Sequence, residues 1–175
     1  MKKIVILLLS FLLFGFKNPN NDSTPIIINF EQILNEYRCS NGLNPVKIDY
    51  SMKEFADLRS KSIVEDYSHN GFNENIHSYI SDFTYGGENI MKINIPKKDG
   101  IGNWFSNVKE IEEILNKMSM ETSTEYDVVK YCFLKWKHSE SHNELLLDEK
   151  TKRFYLSYQK TESHYYFSFI ALDYD

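Results

Sequence analysis

The hydrophobic pattern changes its period along the chain, and this change strongly constrains the fold. Up to about residue 136, apolar residues recur at the three- and four-residue spacings of amphipathic helices, in segments 29–39, 51–67 and 126–136. After residue 150 they alternate or run together, at Phe154–Tyr158 and Tyr165–Leu172, which is typical of an antiparallel hairpin. Helices first and strands gathered late predict an α+β layered domain.

Two further segments lie between these helical patterns. Glu88–Ile93 follows a glycine pair and predicts a short strand or extended segment. A helical stripe also recurs from about residue 101 to residue 120. The stretch from Asn70 to Gly87 has only weak periodicity, so the sequence predicts no element there.

The N-terminus has the pattern of a secretory signal peptide. Lys2 and Lys3 precede a mainly apolar run, Ile4–Phe16, which is shorter than the roughly 20 residues that a membrane-spanning helix needs. We expect a signal peptide over 1–20, a linker over 21–28 and one domain over 29–175. The mature protein is then secreted, extracellular or periplasmic, without stable membrane insertion; an uncleaved anchor is the alternative.

Charge and cysteine content limit the partners and the covalent structure. The net charge is -5 and basic residues form no run, which disfavours nucleic acid and anionic lipid as partners. Cys39 and Cys132 form an even pair, which in an oxidising compartment permits one disulfide. Two buried free thiols are the alternative.

Three residues stand where side chains can project into a cleft. His69 and His142 lie beside turn-forming residues at the ends of helical segments, and Glu88 follows two glycines that let the backbone bend tightly. Residue type alone does not make them a site, because a single histidine near a helix end is more often a cap or a solvated residue.

Short motifs in a fixed order add information. The first is N-x-x-R at Asn35–Arg38, followed by G-L at Gly42–Leu43. A histidine then ends a helical segment at Ser68–His69, and a G-E-N turn follows at Gly87–Asn89. The last is W-x-x-S-x-x-H at Trp136–His142, before the hydrophobic run Leu145–Leu147. The series resembles the CAP superfamily (SCP-like; cysteine-rich secretory, antigen 5 and pathogenesis-related 1 proteins), in its bacterial form.

The resemblance implies a three-layer α-β-α sandwich with His69, Glu88 and His142 lining a central cavity. Many eukaryotic members complete a tetrad with a second glutamate; Glu140 lies near that place, and Ser139 is the bacterial alternative. Some members hold a divalent metal such as Zn²⁺ between the two histidines, here His69 and His142. Imidazole nitrogens suit zinc. A water-filled polar cavity without metal is the alternative.

The sequence also departs from the family pattern. The connection between the G-E-N turn and Trp136 is long, so we expect an inserted helical segment around 96–124 that decorates the cavity rim. The terminal hairpin lacks the glycine-rich G-x-G that often precedes its first strand, and Arg153–Ser157 stands there instead.

Two other catalytic patterns are disfavoured. His138 and His142 are four residues apart and would share one face of a continuous helix, but a zinc protease requires glutamate directly after the first histidine, where Ser139 stands. The chain also contains no G-x-S-x-G motif of a serine nucleophile.

Two functions fit these residues. The first is a non-catalytic binding module whose cavity takes a small apolar ligand, a divalent metal, a cell-wall component or an extracellular protein partner. The second is a metal-assisted hydrolase, a peptidase or esterase, in which His69 and His142 hold the ion and Glu88 is the catalytic base.

Overall fold

The computed structural model describes residues 24–94 and 124–173, together with Lys109, Glu113 and Ile114. The helices are α1 (Thr24–Ser40), α2 (Lys53–Glu65), α3 (Asn70–Tyr79), α4 (Glu125–Lys137) and α5 (Glu140–Leu146), with a 3₁₀ turn at Tyr50–Met52. The strands are β1 (Lys47–Ile48), β2 (Tyr85–Asn94), β3 (Arg153–Lys160) and β4 (His164–Asp173). Over these residues, none of the helices combines the length and apolar character needed to cross a bilayer.

One four-stranded sheet, in the order β1-β3-β4-β2, forms the middle layer. β3 and β4 form the predicted antiparallel hairpin, β2 pairs antiparallel with β4, and the short β1 pairs parallel with β3. α2 packs over β3 and β4 on one face, while α1 packs against β3 and α4 on the other. The mixed α and β architecture and its three layers are therefore as predicted.

The α1 face of the sheet carries the aromatic core. The Phe30 ring lies 5.9 Å from the Trp136 ring on α4 and 5.3 Å from the Phe169 ring on β4, measured between centroids. Aromatic pairs in these tilted and edge-on arrangements contribute beyond the area that they bury. These contacts hold α1 and α4 to the hairpin.

The first two helices begin at other residues than the sequence predicted. α1 starts at Thr24, inside the expected linker 21–28, because the buried Ile26 and Ile27 extend its apolar stripe and Pro25 is tolerated in a first helical turn. The helical segment expected from residue 51 begins as the 3₁₀ turn, and α2 itself starts at Lys53. The Asp49 carboxylate accepts the Ser51 N–H and caps the 3₁₀ turn ahead of α2.

The N-x-x-R motif, Asn35–Arg38, fixes the backbone around α1. The Asn35 amide donates to the Val46 carbonyl at 2.9 Å and accepts the Val46 N–H at 2.8 Å, as a neighbouring strand would. Arg38, buried, donates to backbone carbonyls that include those of Asn44 and Leu146. N-x-x-R is therefore a structural motif in this chain.

The disulfide that the cysteine count permits is not formed, since Cys39 and Cys132 are both free. Cys39 lies exposed near the end of α1, whereas Cys132 is fully buried on the inner face of α4. The signal peptide predicted over 1–20 lies outside the described residues. So does most of the segment around 96–124, of which Lys109, Glu113 and Ile114 are helical and Ile114 is buried.

Candidate functional site

The structure brings His69 and Glu88 into contact near one end of β2 and places His142 on a helix that packs beside this strand. Glu88 is on β2, and its side chain lies on the sheet face covered by α2. His69 directly precedes α3, and His142 is on α5. Gly87 allows α5 to approach β2, because a Cβ atom at that position would lie 2.8 Å from Leu145 Cδ1. The Asn89 amide then donates to the His142 carbonyl at 2.9 Å and fixes the position of α5.

Glu88 is held by four hydrogen bonds. Its Oε1 accepts from Arg59 Nε and from the Ser168 hydroxyl, both at 2.9 Å. Its Oε2 accepts from Arg59 Nη2 at 3.0 Å and lies 3.1 Å from His69 Nδ1. A carboxylate offers about four acceptor positions, so these contacts occupy all of them. The Glu88 side chain is only 1% exposed.

Arg59 is the functional residue that the sequence analysis missed. Besides binding Glu88, it donates to the Ser62 hydroxyl at 2.8 Å and the Ser68 carbonyl at 2.9 Å. A signal for it exists in the sequence, because Phe55, Arg59 and Ile63 are spaced at i, i+4 and i+8 and lie on the buried stripe of α2. A cation on an apolar stripe indicates a buried acidic partner.

His69 lies at the solvent boundary of the site, with its side chain 50% exposed. Its Nδ1 atom can bond Glu88 only by donating a proton, because the carboxylate is an acceptor. The neutral ring then carries its proton on Nδ1 and leaves Nε2 as an acceptor for a ligand. Glu88 thus sets both the orientation and the tautomer of His69.

His142 is half-buried on α5, and in the described structure no hydrogen bond joins its side chain to Glu88 or His69. Its Nδ1 atom lies 2.7 Å from the Ser139 hydroxyl, across the first turn of α5. Burial, and then the charge of the nearby His69, lowers the pKa of His142 below its ordinary value. His142 is therefore a neutral ring near neutral pH, oriented by Ser139.

The remaining predicted residues divide between the site and its surroundings. Ser139 contacts His142, whereas Glu140 is exposed at the start of α5 and has no contact with Glu88 or His69 in the described structure. His138 ends α4 and is exposed, so it does not share a helix with His142. Among residues 24–94 and 124–173, no three His, Cys, Asp or Glu side chains gather into a metal cluster.

Comparison with known proteins agrees with this fold and motif order. The model of the CAP (cysteine-rich secretory protein) family matches residues 32–174. The chain therefore belongs to the CAP family. No curated protein matches the sequence.

Three solved structures are similar to this chain in fold. An outer surface protein from Borrelia burgdorferi matches with a TM-score of 0.62 and 17% identity, over 88% of this chain and 96% of its own. A cysteine-rich secretory protein from Staphylococcus aureus matches with a TM-score of 0.55 and 16% identity, over 89% of this chain and 40% of its own. An extracellular protein containing an SCP domain from Bacillus anthracis matches with a TM-score of 0.54 and 16% identity, over 84% of this chain and 40% of its own.

Proposed function

We propose that the protein is a secreted CAP-domain binding module whose cavity of His69, Glu88 and His142 holds an extracellular ligand without turnover. The observation that carries this proposal is the saturation of Glu88 by Arg59, Ser168 and His69. Because all acceptor positions of Glu88 are occupied, this carboxylate is suited to holding His69 in place for a ligand and is less suited to accepting a proton from a substrate.

The hydrogen bonds of Glu88 disfavour the hydrolase alternative. A general base needs a lone pair within hydrogen-bond reach of the proton that it removes. Both Glu88 oxygens already accept two hydrogen bonds each, and two of these come from the Arg59 guanidinium. Breaking one of them to bind a water would leave a buried charge partly unpaired, which is costly.

The two histidines are the groups that contact the ligand in this proposal. His69 and His142 both engage their Nδ1 atoms with protein partners, which leaves the two Nε2 atoms for a ligand. The ligand classes are those expected from the sequence: a small apolar molecule, a cell-wall component or an extracellular protein. The printed descriptions of the similar structures, an outer surface, a secretory and an extracellular protein, support an extracellular location.

A divalent metal such as Zn²⁺ is the second candidate ligand, since imidazole nitrogens suit it, and with two histidines as ligands a partner would have to complete its coordination. Histidines that bind metals usually donate their other ring N–H to a carboxylate or similar group, as His69 Nδ1 does to Glu88. His69 and His142 would hold the ion through Nε2, and Glu88 would orient His69. When bound, the ion supplies a positive charge with open coordination positions for an oxygen atom of a partner.

Competition with a chromophoric chelator measures zinc affinity in the wild type and two variants. We expect His142→Ala to weaken zinc binding by at least about tenfold, because it removes one of two ligands. His138→Ala, an exposed histidine nearby, should bind zinc as the wild type does. Equal affinity of all three proteins would remove zinc as a ligand of this site.

Turnover is tested separately with a panel of peptide and ester substrates, with and without zinc. The binding proposal predicts no turnover above the rate of the buffer. A hydrolysis rate that disappears in His69→Ala but persists in His138→Ala would overturn the proposal and support the hydrolase.

A further inference from the structure

α2 and α3 line an open groove that adjoins the histidine site at Arg59. It has a volume of about 380 Å³, which lies at the small end of the range of about 300–1,000 Å³ for ligand pockets. Its floor is the Arg59 guanidinium and Gly71, and its walls carry Leu58, Asp66 and Glu74. The groove is therefore large enough for a small molecule.

The floor of the groove offers a buried hydrogen-bond donor. The Arg59 side chain is 2% exposed, and its Nη1 atom, which does not bind Glu88, carries two N–H groups. One of them goes to the Ser62 hydroxyl, and within the described chain no acceptor takes the other. Gly71 packs directly against Nη1, since a Cβ there would lie 2.3 Å from it, so only glycine lets the guanidinium take this position beside the groove.

The walls offer mainly acceptors. Glu74 is exposed and binds no donor among the described side chains, and Asp66 uses one oxygen for the Ser68 hydroxyl. Asn75 donates to the Gly71 carbonyl, which leaves its own amide oxygen for a ligand. Leu58, about one third exposed, is the apolar part of the rim. A donor at the floor thus faces several acceptors at the walls.

This arrangement selects the ligand by its chemistry. Arg59 and Glu88 neutralise one another, so the net charge of the groove comes from Asp66 and Glu74, which would repel an anion. A wholly apolar ligand would bury these carboxylates without partners, which is costly. A bare cation would leave the second N–H of Arg59 Nη1 without an acceptor. A ligand with neighbouring groups that both donate and accept, together with a C–H face for Leu58, satisfies every part of the groove.

We propose that the groove between α2 and α3 is a saccharide-binding site for one ring of a neutral or amino sugar. A ring hydroxyl or amide oxygen accepts from Arg59 Nη1, and hydroxyl or amino groups donate to Glu74, Asp66 and the Asn75 oxygen. The groove shares Arg59 with the histidine site, so its tests use Glu74 and Asp66, which do not contact Glu88 or the two histidines. Loss of sugar binding in these variants is therefore distinguishable from loss of the proposed histidine function.

Backbone amide NMR spectra of the full chain, titrated with sugars, test the proposal. The probes are glucose, galactose, N-acetylglucosamine and glucosamine. At least one should give saturable shifts concentrated in amides of residues 58–75. Glu74→Gln should weaken that binding about tenfold, because it removes a charged acceptor. Glu65→Gln, a matched exposed glutamate outside the groove, should bind like the wild type.

Three outcomes would overturn the proposal. One is the absence of saturable shifts in residues 58–75 with all four sugars. Another is a sugar affinity that is the same in Glu74→Gln as in Glu65→Gln, and that is also unchanged in Asp66→Asn. The third is saturable binding of methylammonium in the groove without any response to a sugar, which would assign the two carboxylates to a cation.

Discussion

Arg59 and Glu88 form a two-point ion pair between α2 and β2. Arg59 Nε lies 2.9 Å from Oε1, and Nη2 lies 3.0 Å from Oε2. The Arg59 and Glu88 side chains are only 2% and 1% exposed, so water does not stabilise either charge, and each is stabilised mainly by the other. Removing one member of such a pair leaves an uncompensated buried charge.

Replacing Arg59 alone should therefore destabilise the fold strongly. We expect Arg59→Met to lower the free energy of unfolding by about 3–5 kcal/mol, measured by urea denaturation. The double variant Arg59→Met with Glu88→Leu should recover a large part of that loss, because no unpaired charge remains. A single variant as stable as the wild type would show that the pair is not needed.

Gly71 should tolerate no larger residue beside Arg59. A Cβ atom there would meet Nη1 at 2.3 Å, and the guanidinium cannot move freely because Glu88, Ser62 and Ser68 hold it. We expect Gly71→Ala to lower the free energy of unfolding by about 1–3 kcal/mol despite the better helix propensity of alanine. Asn73→Ala, an exposed position in the same helix, should be neutral or slightly stabilising.

The two cysteines should differ sharply in reactivity. Burial raises the pKa of the Cys132 thiol well above its ordinary value, whereas Cys39 is exposed. Because the thiolate is the reactive form, a thiol reagent should modify Cys39 in the native chain and Cys132 only after unfolding. Cys39→Ser should show no reaction under native conditions. Two unreactive cysteines in denaturant, released only by reduction, would indicate a disulfide instead.

Acid should destabilise the fold partly through His142. Its pKa in the folded chain lies below the ordinary value of 6.5, so the unfolded chain takes up the proton first as the pH falls. The contribution of His142 to stability is complete above about pH 6.5 and declines below it. Urea denaturation under mildly acidic and mildly basic conditions should show a smaller acid effect in His142→Asn than in His138→Asn. Equal acid effects in the two variants would contradict this assignment.

Periodicity was enough to predict the long elements, but not the short ones. α1, α4 and the β3–β4 hairpin have extended apolar patterns, which local physics predicts well. α3 was missed because its buried positions are few, chiefly Phe72 and Ile76, and no side chain caps its start. β1 has only two residues and exists because it pairs with β3, a partner that lies far away in sequence.

Motif order placed His69 and Glu88 in one candidate site, and the two are in contact in the structure, but the other hydrogen bonds of Glu88 could not be predicted. The partner that decides the role of Glu88 is Arg59, 29 residues away, and nothing local links the two. The likeness of Glu140 to a family glutamate was equally uninformative, because the turn before α5 presents Ser139 to His142 and leaves Glu140 exposed. Long-range packing determines which polar residues become partners.

A long-range ¹H–¹⁵N spectrum of the histidine rings, recorded on the full chain with and without zinc, tests most directly whether Glu88 orients His69 for binding. The predicted result is a proton on Nδ1 of His69 in the neutral ring, with zinc changing the Nε2 signals of His69 and His142 and leaving His138 unchanged. A proton on Nε2 of His69, or a zinc response confined to the other histidines, would contradict it.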